Sequence, residues 1–472
     1  FVFHFKSLYL NYRFQIVLLF TLTFSFLTHL EGQDDDVYMI KKIHDEALGK
    51  GKAYPWLTDL CTKHGERIAG SPAYLGAANY TKDILAGIKG VQSYHQPCEA
   101  SYWKRGAKEQ VKIIGKNGKN IRLSALSLGN SVATPTEGIT AEVIEVQSLD
   151  EVEKLGKEKI SGKIVFYNRP MDPTQLRTFS AYGGAVDQRV YGPSKAAEFG
   201  AVAALVRSMT TSLDDFPHTG VTIYKDSLNK IPGIAISTLD AEKLSRAIKK
   251  GPVNVFLKTN CQTIGMKSSP TVIGEIKGSV FPDEIIVVGG HLDSWDVGQG
   301  AHDDGAGCIQ SMEVLRLFTA LGYQPKRTIR CVLFSNEENG LAGGRTYAKL
   351  SNEKNEFHLA ALESDSGGFS PKGFSFEADT SVFKSYYKHV SKWLPLLESY
   401  GLHFEMGGSG ADIGPLKSQK GLLIGLRPDS QRYFDFHHTA NDKIENVNKR
   451  ELELGAAAMA SLIYLIDKYG IK

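Results

Sequence analysis

The stretch Glu284-Ile285-Ile286-Val287-Val288-Gly289-Gly290-His291-Leu292-Asp293-Ser294-Trp295-Asp296 sets the frame for the whole chain. An unbroken apolar run that stops at two glycines reads as a strand buried on both faces, the kind found inside parallel sheets. Polar residues follow it at once. The same pattern recurs further along. Thr328 to Phe334 leads into Ser335-Asn336-Glu337-Glu338, and His358 to Leu362 leads into Glu363-Ser364-Asp365. A fourth apolar run, Gly421 to Leu426, precedes a loop containing His437-His438-Thr439. Helical spacing marks Ala306 to Leu321, Gly344 to Leu350, Ser381 to Leu397 and Glu451 to Tyr469. Short apolar strands alternating with helices predict an α/β fold, a doubly wound and mostly parallel sheet with helices on both faces. Ligands of such sheets bind beyond the carboxyl ends of the strands, where the polar residues collect here.

Taken alone, each polar cluster has a plain structural reading. A histidine at a strand end can be a hydrogen-bonded surface residue, and Asp303-Asp304-Gly305 a turn or cap. Glu337-Glu338 can be a solvated helix start. Together, His291, Asp303, Glu338, Asp365 and His438 supply imidazole nitrogens and carboxylate oxygens with no thiolate. That set suits two Zn²⁺ ions with a carboxylate between them better than one closed structural site. Two metals about 3.5–4 Å apart can hold a hydroxide and polarise a carbonyl together. A further carboxylate outside the metal set must then carry a proton from the water to the leaving amine. Glu337 and Glu338 fit this division, because neighbouring side chains at a strand end diverge.

The order H-x-D-S-W-D (291–296), A-x-D-D-G-x-G (301–307), E-E-x-G (337–340), E-S-D (363–365) and H-H-T-x-x-D (437–442) resembles the co-catalytic di-zinc exopeptidases. That family includes bacterial aminopeptidases and glutamate carboxypeptidases. The run Gly289 to Gly307, with Pro325-Lys326-Arg327-Thr328, is most similar to the plasma-type glutamate carboxypeptidase subgroup. The resemblance implies that His291 and Asp365 hold one zinc, Glu338 and His438 the other, and that Asp303 bridges them. It makes Glu337 the general base and acid, with Asp293 orienting His291. It disfavours His437 as a ligand, because the family places the metal histidine directly before Thr or Ser. It also sets Asp412 in a loop of small residues near the site.

The activity implied is hydrolysis of short peptides, dipeptides with free termini above all, by a homodimer. Two rivals stay open: an aminopeptidase on longer peptides, and a non-catalytic, membrane-anchored ectodomain of the transferrin-receptor type. The second has lost the metal ligands in its known form, whereas all five are present here. A substrate ammonium would call for an acidic pair beside the metals. A substrate carboxylate would call for a cation, with Arg177, Arg189, Arg207 and Arg427 as candidates.

Upstream of His291, residues 131–262 read as a separate α/β unit with no clustered His, Glu or Asp of metal-site type. Its strands are expected at Ile139 to Val146, Ile164 to Tyr167, Ala203 to Val206 and Ile231 to Ser237. Gly162 to Tyr167 and His218-Thr219-Gly220 are similar to a protease-associated domain. A related di-zinc family carries its extra domain after the Glu-Glu pair, so the insertion point argues against it. The expected organisation is a signal peptide or anchor at 1–33, a split di-zinc peptidase domain at 34–130 and 263–472, and an inserted protease-associated-like α/β domain at 131–262.

Composition sets the outer limits. Lys and Arg total 55 against 52 Asp and Glu, a formal charge of +3 with no long run of one sign, so no nucleic-acid partner is indicated. With 42% hydrophobic and 23% charged residues, a largely disordered chain is excluded. The one long apolar run, Phe14 to Leu30, follows Lys6 and Arg13 and is broken by Gln15, Thr21, Thr23, Ser25 and Thr28. It reads as a secretory signal, giving a secreted or lysosomal protein with no stable membrane insertion after cleavage. Asn79-Tyr80-Thr81 is a glycosylation acceptor. Among the cysteines, Cys308 and Cys331 fall in apolar segments, and Cys61 and Cys98 are available to pair in an oxidising compartment.

Overall fold

In the computed structural model, residues 34–115 and 118–471 are described. The leader assigned to 1–33 lies outside them. Among the described residues no helix is long and apolar enough to cross a membrane.

The apolar run that begins at Glu284 becomes the strand Phe281–His291, buried from Ile285 to His291. It lies parallel to Arg327–Phe334 on one side and to Phe357–Glu363 on the other, and the latter is parallel to Leu422–Pro428. Alternate side chains enter opposite cores, as the pleat requires. Ile286 and Val288 join Ile309, Met312 and Ile463, which belong to the helices Ala306–Ala320 and Lys449–Tyr469. Ile285 and Val287 join Tyr347, Ala348, Ile413 and Leu416 on the other face, under the helix Ala342–Glu353. Each such fully buried side chain contributes about 1.5–3 kcal/mol.

The flanks depart from the expected parallel order. Thr271–Ile276 is antiparallel to Arg327–Phe334, with Gln92–Gln96 antiparallel beyond it. On the other side Pro371–Glu377 is antiparallel to Leu422–Pro428, and His403–Met406 lies beyond it. The eight-stranded sheet is therefore mixed, parallel through its centre. The outer strands are polar or interrupted, as in Gln92-Ser93-Tyr94-His95-Gln96 and around Pro371 and Gly373. Their partners come from the sheet edge, and their own pattern does not announce them.

A second eight-stranded sheet carries the parallel strands Ile139–Val146, Ile164–Tyr167, Ala203–Arg207 and Gly233–Ile236. It also takes in Gln110–Ile113, Ile121–Leu123 and Ala125–Ser127. It thus starts ahead of the boundary expected at 131, because Gln110–Ile113 pairs with Asn254–Lys258, a partner far along the chain that local pattern cannot reveal. Between the two sheets, Glu99–Lys104 and Gln262–Ser268 form an antiparallel ribbon. All five cysteines are buried and free, so Cys61 and Cys98 are not joined.

Candidate metal centre

Register brings the central carboxyl ends level: His291 stands opposite Phe334, Gly289 opposite Glu363, and Glu363 opposite Gly425. His291 is the last residue of its strand, and Asp365 follows the end of the next by two positions. Asp303 comes from the segment Ala301–Gly305 that leads into the helix Ala306–Ala320. His438 sits in the loop after Leu422–Pro428, at φ +63°.

These groups converge on Asp303. Its Oδ1 lies 3.3 Å from His291 Nε2, and its Oδ2 lies 3.2 Å from His438 Nε2. Asp365 Oδ1 is 3.6 Å from His291 Nε2, and Glu338 Oε2 is 3.0 Å from His438 Nε2. His291–Asp303–Asp365 and Asp303–His437–His438 are each compact enough to hold one ion. His437 Nε2 is 3.8 Å from Asp303 Oδ2 and its ring stacks on His438 at 3.5 Å, so it shares the site but lies further from the shared carboxylate. The neighbouring His302 turns away, stacking on Phe369 and meeting Asn446 O at 3.2 Å.

The adjacent glutamates diverge. Glu338 is 5% exposed, and its Oε1 is buried without a hydrogen bond. Glu337 is partly exposed on the cleft. The Glu337 and Glu338 amides donate to the two carboxylate oxygens of Asp293, at 3.1 and 3.3 Å. His291 Nδ1 lies 2.9 Å from the Asp293 backbone carbonyl and 3.9 Å from its Oδ1. Asp293 therefore meets His291 through its main chain and the glutamate turn through its carboxylate. Asp412 is fully buried near Glu363, with neither oxygen hydrogen-bonded.

Electrostatics at the centre suit cations. Burial alone would lower His291, but the carboxylates of Asp303 and Asp365 outweigh it and raise it well above the ordinary value. For His438, burial is likewise outweighed, by Glu338 and Asp303, and the ring is raised to about 9. Burial would raise Asp303, yet His291 and His438 hold it well below its usual range. Glu338 is pushed up to about 7 and Glu337 well above its usual value, burial being the largest cause in both. Positive charge is stabilised between these carboxylates. A metal can supply it once the imidazoles shed their protons. The nitrogen and oxygen donors, the carboxylate facing both histidines and the unsatisfied Glu338 oxygen fit two zinc ions.

Several groups position the site in ways the motifs do not reveal, although Asp304 and Asp442 are themselves motif positions. Asp304 accepts the His291 and Gly307 amides through its two oxygens, both at 3.1 Å. A Cβ at Gly290 or Gly307 would overlap that carboxylate. Asp442 accepts the His302 and Asp303 amides at 2.7 and 3.2 Å. Arg67 is fully buried and donates to the Leu292, Gln299 and Gly300 carbonyls at 2.6–2.7 Å, bracing the connection between His291 and Asp303. From the second sheet's loops, Thr219 O accepts from His438 Nδ1 at 3.2 Å, and Arg189 Nη2 donates to the Tyr182 hydroxyl at 2.6 Å. Invariance across relatives could expose such residues, but one sequence offers only their type.

The centre lies at a cleft of about 520 Å³. Its second-sheet wall has Asn130, Phe179, Tyr182, Arg189, Val221 and Ile223. Of the arginines weighed as carboxylate holders, only Arg189 lines this cleft. Arg177 pairs with Glu405, Arg207 with Glu242, and Arg427 bonds Ser375 Oγ and Gly408 O.

Residues 271–463 match the profile of Peptidase family M28. Carboxypeptidase Q of Bos taurus is 34% identical over 420 residues, covering 88% of this chain and 85% of that protein. Carboxypeptidase Q of Xenopus laevis is 35% identical over 426 residues, covering 90% and 87%. The crystal structure of a peptidase M28 precursor from Shewanella amazonensis SB2B superposes with a TM-score of 0.87 at 30% identity, covering 92% of this chain and 97% of that one. An aminopeptidase from Aneurinibacillus sp. strain AM-1, with a TM-score of 0.60 at 20% identity over 89% and 95%, shares the fold.

Proposed function

The chain belongs to peptidase family M28 and is a zinc metallo-exopeptidase, and from that premise we propose that it hydrolyses short peptides, dipeptides with free termini foremost, with Glu337 moving the proton. One observation carries this reading: the two oxygens of Asp303 face His291 and His438 at 3.3 and 3.2 Å in a cleft lined by polar and aromatic groups. In the proposal His291 and Asp365 would hold one zinc and Glu338 and His438 the other, with Asp303 available to both. When bound, such a pair polarises the peptide carbonyl and acidifies the attacking water.

The rest falls to the chain's own groups. Glu337 takes the proton of the water and returns it to the amine nitrogen as the C–N bond breaks. The bonds from Asp293 to the Glu337 and Glu338 amides keep one side chain on the cleft and the other on the metal set. A cleft of about 520 Å³ lies within the range of about 300–1,000 Å³ usual for small ligands, which supports short peptides over long ones. The complete ligand set argues against the inert-ectodomain reading.

The same proposal takes the second-sheet region as a protease-associated-like insertion. It includes a secreted or lysosomal setting, supported by the leader pattern at 1–33, and a homodimer, supported by family resemblance. Glu337→Gln tests the core of it. The variant should keep close to two zinc ions per chain and lose about 10²–10⁴ in kcat on dipeptides. Full hydrolysis by the zinc-loaded variant would overturn the assignment. Activity should also vanish with a chelator and return with zinc.

A further inference from the structure

Arg345 lines the cleft together with Glu337, Glu338, Asp303 and Asp365. It is exposed, and among the described residues its guanidinium has no hydrogen bond, ion pair or ring contact. Four carboxylates share the cavity with it, yet it pairs with none of them. Its position on the helix Ala342–Glu353 is also locally unfavourable. It lies one turn from the start, where the helix dipole favours acids, and no acidic residue occupies that first turn. The preceding Leu341 is held at φ +58°, with no side-chain cap. A cation kept unpaired at the positive end of a helix, facing a binding cleft, is a local rule broken where function is expected.

The other cation on this cleft is differently placed. Arg189 is 4% exposed, donates to the Tyr182 hydroxyl and lies 3.4 Å from the Thr219 carbonyl. It is part of the wall. Arg345 is free to meet a ligand, and guanidinium matches the planar fork of a carboxylate with two parallel hydrogen bonds.

We propose that Arg345 anchors a substrate carboxylate, either the C-terminal carboxylate of a short peptide or the side-chain carboxylate of an acidic residue, and so selects which peptides the cleft accepts. The proposal rests on the exopeptidase reading above. It moves the carboxylate anchor from the second-sheet region, where Arg177, Arg189 and Arg207 lie, to the helix that follows the glutamate pair.

The test compares wild type, Arg345→Gln and Arg345→Lys on four zinc-loaded assays: a neutral dipeptide, its C-terminal amide, and the amidated dipeptides bearing Glu or Gln. Arg345→Gln should raise KM about tenfold or more for the carboxylate-bearing substrate while kcat changes little, with Lys recovering part of the loss. Loss confined to the free-acid dipeptide assigns the C-terminal carboxylate, and loss confined to the Glu peptide assigns the side chain. Equal loss on the neutral amide, or no loss anywhere, overturns the proposal. Calorimetry of glutamate against its C-terminal amide and against glutamine reads either contact without turnover. Wild type should prefer the acid, and Arg345→Gln should lose that preference. A wild type that cleaves none of the peptides would refute the exopeptidase reading, while the calorimetric comparison would still decide Arg345.

Discussion

Residues from the regions of both sheets line one cleft, yet the two furnish it by different means. In the main sheet the chemistry sits on the strands or within a few residues of them, as His291, Glu337, Glu338 and Asp365 do. In the second sheet, Tyr182 and Arg189 stand well along the connection after Ile164–Tyr167, and Thr219 well along the one after Ala203–Arg207. Short tethers fix angles to within the tolerance that metal ligation demands. Longer loops give shape and support to what those tethers hold. His438 is the exception that joins the two. It is a loop residue of the main-sheet region, and its ring is steadied by Thr219 from the other.

The sharpest break falls on Asp303, which belongs to both halves of the centre. Asp303→Asn should leave less than one zinc per chain by elemental analysis, and cut activity well beyond the roughly 100-fold typical of changes behind the ligands. Next comes the brace under the main-sheet half. Arg67→Met removes a buried cation and strands the carbonyls of Leu292, Gln299 and Gly300, so chemical denaturation should show a loss of about 3–5 kcal/mol. A stable Arg67→Met protein would show that the connection to Asp303 is held by other contacts.

A smaller effect isolates the second sheet's part. Gly220 has φ +134°, which side chains rarely adopt, and a Cβ there would come 2.5 Å from Arg189 Cζ, so alanine strains the loop that carries Thr219. Gly220→Ala should weaken one of the two zinc ions about 10–100-fold and leave the other nearly unchanged, measured by competition with a chelator. Equal weakening of both would mean that the two halves do not differ in support.

The smallest change lies at the opposite end of the strand that leads to Asp365. His358 is buried against Tyr347, Ser351 and Gln419, and burial lowers its pKa to about 4. The unfolded chain, with an imidazole near 6.5, takes up the proton first as pH falls. The stabilising contribution is complete above about pH 6.5 and is lost as pH falls through 6.5 toward 4. By pH 5 it should have dropped by about 2 kcal/mol. His358→Gln should flatten that part of the stability profile and leave zinc content unchanged.

The sequence made the centre of the main sheet legible because those strands are buried on both faces and read as continuous apolar runs. Its edges were not, since Gln92–Gln96 and Pro371–Glu377 owe their conformation to neighbours far along the chain. A similar limit applies to the site. The converging residues were visible as chemistry at strand ends, while Arg67, Thr219 and Asp304 act through backbone groups that no side-chain pattern advertises. Asp293 was placed beside His291, but its carboxylate serves the glutamate amides, a contact that depends on how two strand ends meet. The cations weighed for substrate binding were Arg177, Arg189, Arg207 and Arg427, and no motif singles out Arg345 beside them.

The ribbon of Glu99–Lys104 and Gln262–Ser268 carries one more consequence. The chain leaves for the second sheet and comes back along neighbouring strands, so both ends of that excursion are anchored at one place. A lineage can therefore lengthen, reshape or exchange the excursion by genetic insertion without touching the ladder of the main sheet. Whatever form the excursion takes, its Thr219 carbonyl must still reach the His438 ring, so the reactive centre limits how far that loop can be redrawn.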